Sequence, residues 1–248
     1  MRSTVCCWSS SASCADRVTR VLRAKLIHAR DIIRDLGLSR GLRMGPRWLH
    51  ARRFHVLASP LDATLDVAAP PGARCAVLDE RDLPAFVRGA GAMSAREVRR
   101  RWRAQEECLV CWIEGEVSAY RWDGRGTADL PYLGRRLRVA PDDGIVLECR
   151  TLPGRRRTRA GTLLVQARLE RARALGIRRL VGLVAEWNQP SLAWAAGLGW
   201  SRLGVVGYRW TARGRRYLVE GALRLDGDEL VVLPEDAMTA SRESRSGG

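Results

Sequence analysis

Lysine is almost absent from this chain: Lys25 is the one lysine in a total of 43 Lys and Arg residues. The formal net charge of +16 is therefore an arginine charge. Such a charge ordinarily points to nucleic acid or an anionic membrane surface. Here it comes with a general excess of Arg, Ala and Gly, the bias that a GC-rich coding sequence imposes, so charge alone does not assign a polyanion as partner. Histidine is also scarce. His28, His50 and His55 stand apart in the N-terminal quarter without metal-ligand spacing, and they are assigned to surface or linker roles. Long apolar runs are missing: no stretch approaches the roughly twenty residues that span a bilayer. Residues 1–12 have no apolar core of signal-peptide length, which argues against secretion and for a cytoplasmic protein.

Seven cysteines are present, but they do not form a metal framework. Cys6, Cys7 and Cys14 lie in a polar tip, whereas Cys75, Cys108, Cys111 and Cys149 lie in apolar surroundings, as expected of reduced thiols. Cys108 and Cys111 have the two-residue gap of a zinc or redox motif. They sit inside a strand pattern, where positions three apart face opposite sides, and no second such pair is near. No metal is expected.

At 248 residues the chain is long enough for one sizeable domain with extensions. Residues 1–52 read as a basic N-terminal extension and linker. Within it, residues 1–14 read as a disordered tip, and Met44 is a second reading of the start. Residues 15–36 give an amphipathic helix, with Val18, Leu22, Leu26, Ala29, Ile33 and Leu36 on one stripe. That stripe fits docking on the main domain, a dimer contact, or a basic helix on a membrane surface. Residues 53–226 read as the folded domain and 227–248 as a polar, disordered tail.

Inside the domain the order of elements is regular. A short strand over 54–57 is followed by a polar connection over 62–71 and a strand over 75–78. A helix capped by Asp82 carries Pro84 in its first turn, and a second helix starts at Ser94 with Glu97 completing a capping box. Residues 108–113 and 116–122 form a hairpin around Gly115. Residues 124–134 read as loop, 135–139 as an irregular strand, and 142–144 as a turn. Two strands, 200–210 and 216–225, close the domain around a turn at 212–214.

The centre of the pattern is the run from Gly144 to Trp200. A strand over 145–152 leads through Pro153 and an arginine-rich turn into a helix beginning near Gly161 and stopped by Gly176, then a second strand over 180–184. Strand, helix and strand at this spacing make a parallel crossover. The turn before the helix is the candidate site, because unpaired N–H groups and the positive end of the macrodipole favour an anion there. Asn188 then caps a short helix with Pro190 in its first turn.

Two motifs in this run carry a resemblance. Thr151, Leu152, Pro153, Arg156, Arg157, Thr158, Arg159, Ala160 and Gly161 follow the spacing Val-x-Pro-x-x-Arg/Gln-Gly-x-Gly-x-Gly/Ala, with Pro153, Arg156 and Gly161 matching in identity and Arg157 and Arg159 replacing two glycines. Asn188, Ser191, Gly199 and Trp200 follow Asn-x-x-Ser/Ala and Gly-Phe. In this order and spacing, residues 74–224 resemble the acyl-CoA N-acyltransferase (GNAT) superfamily.

The resemblance implies an α/β (α+β) fold: a central mixed, mostly antiparallel sheet with one splayed parallel strand pair and helices on both faces. It implies acetyl-CoA as co-substrate and a small-molecule or peptide amine as acceptor, in a monomer or homodimer. The diphosphate would rest on residues 156–162, including Thr162, with Asn188 and Ser191 near the pantetheine arm. Thr151 and Leu152 would hold the acyl carbonyl. Glu148, five residues before Pro153, is the candidate base. Relatives often carry a Tyr seven residues after the Asn; Ala195 stands there, and Tyr208 is the substitute acid. The departures at Arg157, Arg159 and Ala195 motivate a rival reading, a non-catalytic protein that binds acyl-CoA as a regulatory ligand. A third makes the basic N-terminal helix a nucleic-acid or membrane-surface binder.

Overall fold

The computed structural model describes residues 51–234, except 63, 64, 66, 92, 156, 157, 212 and 213. The expected N-terminal helix, the linker and the tail beyond Pro234 lie outside the described residues, as do Arg156 and Arg157. Among the described residues no helix is long and apolar enough to cross a membrane.

The chain opens with β1 (Ala51–Ser59) and β2 (Ala73–Val77), then α1 (Leu83–Ala90) and α2 (Ala95–Arg103). A hairpin of β3 (Glu107–Ile113) and β4 (Glu116–Arg125) follows, turned by Glu114 and Gly115, both at positive φ as a two-residue hairpin turn requires. Next come β5 (Thr127–Leu130), β6 (Arg135–Arg138) and β7 (Asp143–Thr151). A 3-10 turn (Pro153–Arg155), α3 (Ala160–Ala174), β8 (Arg179–Ala185) and α4 (Gln189–Gly197) make up the crossover region. The chain ends in β9 (Ser201–Thr211), β10 (Gly214–Gly221), β11 (Leu223–Asp226) and β12 (Glu229–Val232).

Eight strands form one sheet in the order β10-β9-β1-β8-β7-β4-β3-β2. All its pairs are antiparallel except β7 with β8. The alternation of β3 and β4 divides the helices between its faces. Cys108, Val110, Tyr120 and Trp122 pack under α1 and α2. Leu109, Cys111, Ile113 and Ala119 pack under Ala160, Leu163 and Leu164 of α3. The mixed sheet with helices on both faces is thus the fold expected.

Several local expectations need correction. The segment at 54–57 is part of a nine-residue strand in mid-sheet, paired on both sides. His55 lies on that strand, not in a linker; burial lowers its pKa. The stretch 124–134 is not simply loop. β4 runs on to Arg125, and Ala128, Leu130 and Leu133 are buried. Ala128 and Leu130 belong to a second sheet, β11-β12-β6-β5, in which β12 and β6 are parallel, and Leu133 packs into the same core. The supposed tail from 227 supplies β12, where Leu230 is fully buried, so the folded chain continues past 226. Asp82 stands at the cap position but its carboxylate does not cap; it accepts from Arg74 at 3.0 Å, while Asp79 bonds the Arg81 and Asp82 amides. Ser94 does cap α2, yet Glu97 turns to Arg100 instead of closing the box.

Candidate active site

Pairing of β7 with β8 runs from Asp143↔Arg179 to Val146↔Gly182 and stops, although both strands continue. The last rung is tightly packed and the opening begins directly after it. Gly182 allows close approach at the last rung: a Cβ on it would lie 3.2 Å from Val146 and 3.3 Å from Trp200. One residue later β7 bulges. Trp122 faces Glu148 and Asp123 faces Val146, so Leu147 is an extra residue, which bends and twists the strand away from β8.

The same bulge resets the alternation of side chains. Leu147 and Glu148 both look toward the face covered by α1 and α2. Glu148 is a quarter exposed, and each of its oxygens is held. The Tyr120 hydroxyl donates to one at 3.1 Å and Arg101 donates to the other at 3.1 Å. Arg150 lies 3.9 Å away. Arg101 also meets Glu97 and Glu106, each at 3.5 Å, and lies over the Trp122 ring at 4.8 Å. Burial raises the Glu106 carboxyl, and it raises the Tyr120 phenol, which therefore stays a protonated donor at neutral pH.

Backbone groups line the opening. Leu152 donates its N–H to Ser118 of β4 at 3.0 Å. By strand alternation, the N–H groups of Thr151 and Cys149 point the other way, toward the gap. Beyond them, Thr158 Oγ1 donates to the Arg155 carbonyl at 2.7 Å, and Arg155 pairs with Glu116. Helix α3 starts at Ala160 with no side-chain cap, and its first internal bond runs from Leu163 N–H to Arg159 O. The amides of Ala160, Gly161 and Thr162 thus carry the unpaired donors of a helix start. Gly161 sits against β7: an added Cβ would meet Thr151 Oγ1 at 2.9 Å. Arg159 has φ 63°, the left-handed conformation that a glycine would take without strain, and its side chain is exposed. The chain thus keeps a glycine's backbone at a position where it carries arginine. These groups fit an extended, diphosphate-bearing thioester: amides along the gap, then a helix start and an exposed guanidinium at its mouth.

On the other arm, Asn188 accepts the Ser191 N–H at 3.3 Å and so caps α4. Trp194 of α4 is exposed. Trp112 and Trp122 are core residues.

Tyr208 is not brought to this site. It is buried on β9, three strands from β7, about 14 Å at the usual strand spacing. Its ring packs with Trp210 and Tyr217, and Arg215 lies over it at 4.4 Å. Ala195 is buried. Tyr120 and Arg101 were not foreseen. Tyr120 read only as a strand residue, and Arg101 was one arginine among several on α2. What singles them out is contact across 28 and 47 residues of chain.

An antiparallel sheet opened at its one parallel pair, with an uncapped helix start beside the opening, is an N-acyltransferase architecture of the kind the resemblance implied. The family model for the acetyltransferase (GNAT) family matches residues 77–200, and the chain belongs to that family. Solved structures with a similar fold include a protein assigned to the GNAT family from Novosphingobium aromaticivorans, at 17% identity and TM-score 0.46 over 64% of this chain and 63% of that one. A GCN5-related N-acetyltransferase from Sphaerobacter thermophilus matches at 15% identity and TM-score 0.48, over 75% of this chain and 58% of that one. An N-acetyltransferase from Staphylococcus aureus matches at 16% identity and TM-score 0.40, over 51% and 82%. This chain spans less than two thirds of the length of the first two. No curated protein matches its sequence.

Proposed function

We propose that the chain transfers an acetyl group from acetyl-CoA to an amine. The observation that carries this reading is the bulged opening between β7 and β8, which sets Glu148 beside backbone donors that face the gap. Acetyl-CoA supplies a thioester whose carbonyl carbon an amine can attack. The amides of Ala160, Gly161 and Thr162 hold the diphosphate, with Arg159 at its rim. Asn188 and Ser191 flank the pantetheine arm. The N–H groups of Cys149 and Thr151 donate to the carbonyl oxygen and stabilise the charge that grows on it during attack.

Glu148 takes the proton of the attacking amine. Tyr120 and Arg101 orient its carboxylate without touching the reacting atoms, so they are positioning residues. Arg101 also balances charge, since Glu97, Glu106 and Glu148 converge on it. With Tyr208 remote and Ala195 apolar, the departing thiolate takes its proton from water. The reaction needs no metal group, and we place it in the cytoplasm.

Calorimetric titration with acetyl-CoA tests the first step. Binding in the micromolar range, weakened at least tenfold by Gly161→Val, is the expected result. Unchanged affinity in the variant would remove the helix start from the site. Replacing Thr151 with Ala relieves the contact at its Oγ1, so the double variant should recover part of the loss. Thiol release over a panel of amines tests the second step. Glu148→Gln should lower kcat by about a hundredfold or more while acetyl-CoA affinity holds. Coenzyme binding without thiol release for any amine would favour the regulatory reading.

A further inference from the structure

Two cysteines that the site does not use stand directly opposite each other, Cys75 on β2 and Cys111 on β3. Their register follows from the bonds at either end of the pair. Leu78 N–H donates to Cys108 O at 2.8 Å and Glu114 N–H to Gly72 O at 3.3 Å. Counting in twos from those rungs, Cys75 and Cys111 fall at a non-hydrogen-bonded rung, with no register shift between. At such rungs the Cα atoms are about 4.5 Å apart, within the span of roughly 4.4–6.8 Å that a disulfide bridges. Both side chains lie on the α3 face, in the same packed cluster.

We propose that Cys75 and Cys111 are a redox modification site that closes reversibly into a cross-strand disulfide. The other two described cysteines provide the contrast. Cys108 faces Trp122 and Cys149 faces Arg121, so neither has a thiol across from it. Access sets the order of events. Cys75 is half-buried on the edge strand of the sheet, whereas Cys111 is fully buried. With a low-molecular-weight disulfide as oxidant, the Cys75 sulfur attacks one oxidant sulfur, forming a mixed disulfide and releasing the first small thiol. Cys111, a neighbour already in contact, then attacks the Cys75 sulfur and expels the second small thiol. The protein loses two electrons and two protons, and the oxidant gains both.

The test uses the full chain treated with oxidised glutathione, alkylated and digested with trypsin. Cleavage at arginine places Cys75 on the peptide 75–81 and Cys111 on 104–121, which also holds Cys108. The expected product joins these peptides, two hydrogens lighter than their sum, with fragmentation assigning the bond to Cys111 and dithiothreitol reversing it. The oxidised protein should melt about 5 °C or more above the reduced one. Cys75→Ala should lose both effects and Cys149→Ser should keep both. The proposal is overturned if glutathione stays on Cys75 with Cys111 alkylated. It is equally overturned if the bond maps to Cys108, Cys149 or the N-terminal cysteines, or if the melting temperature of the linked protein does not rise.

Discussion

The two halves of the large sheet are covered by different materials. From β2 to β7 the cover is helical, and the apolar contacts beneath α3 are joined by a buried ionic layer. Arg121 and Arg168, both nearly inaccessible, share the buried carboxylate of Asp123 at 2.9 Å and 3.1 Å. Arg168 and Arg171 reach Glu107 as well, at 3.6 Å and 2.9 Å. From β8 to β10 the cover on one face is the small sheet, and the layer is apolar. There Leu133, Leu137 and Leu230 are fully buried with Val56, Val181 and Val206. Apolar contact resists separation but tolerates sliding, whereas ion pairs have direction. The ionic layer fixes where α3 lies along β4, and hence where the helix start meets the end of β7. The proposed chemistry sits on the half that needs positional precision.

The sharpest way to break this contrast is to remove the shared carboxylate. Asp123→Asn leaves the buried Arg121 guanidinium without its counter-charge and Arg168 with only its longer contact to Glu107, and about 3–5 kcal/mol of stability should go with it in urea unfolding. A loss below about 1 kcal/mol would mean that the ionic layer is not what fastens α3. On the apolar half, Leu230→Ala opens a cavity and should cost about 2–4 kcal/mol. That measurement also tests the domain boundary, because a chain that ended its folded part at 226 would be indifferent to residue 230.

The same contrast explains what could be read from the sequence. From Cys75 to Trp200 most elements are joined by short connections, and each carries its own punctuation: Pro84, Ser94, Gly115, Gly176 and Asn188. The small sheet has strands of four residues each, too short for a periodicity to register. Its parallel pair joins Leu137 to Leu230 across the length of the domain, a contact that no local pattern encodes. At the candidate site, motif spacing is what singles out Glu148 and Gly161 in the sequence. It singles out neither Arg101 nor Tyr120, because only packing brings them to Glu148. Tyr208 misled because strand order was unknown: β9 follows α4 in sequence, yet β1 inserts between it and β8.

Smaller effects sharpen the contrast on the half that carries the candidate site. Tyr120→Phe removes one hydrogen bond from Glu148 and leaves the ring packed against Phe86, so stability should fall by about 1 kcal/mol. If Tyr120 orients the base, kcat should drop about tenfold at constant acetyl-CoA affinity. An unchanged kcat would leave the positioning to the arginines, Arg101 above all.

Arg159 carries the smallest expected change in stability and separates backbone from side chain at the phosphate turn. Its left-handed conformation costs an L-residue roughly 1–2 kcal/mol that glycine escapes, partly offset by the greater freedom glycine loses on folding. Arg159→Gly should therefore raise stability by about 1 kcal/mol in urea unfolding. If its guanidinium holds a phosphate oxygen, the same variant should bind acetyl-CoA several-fold more weakly, with a shallower dependence of affinity on salt. Opposite signs in the two measurements would show that the chain has given up a little stability at this turn for a charge at the mouth of the gap. Gains in both would make the arginine a bystander and leave coenzyme binding to the backbone alone.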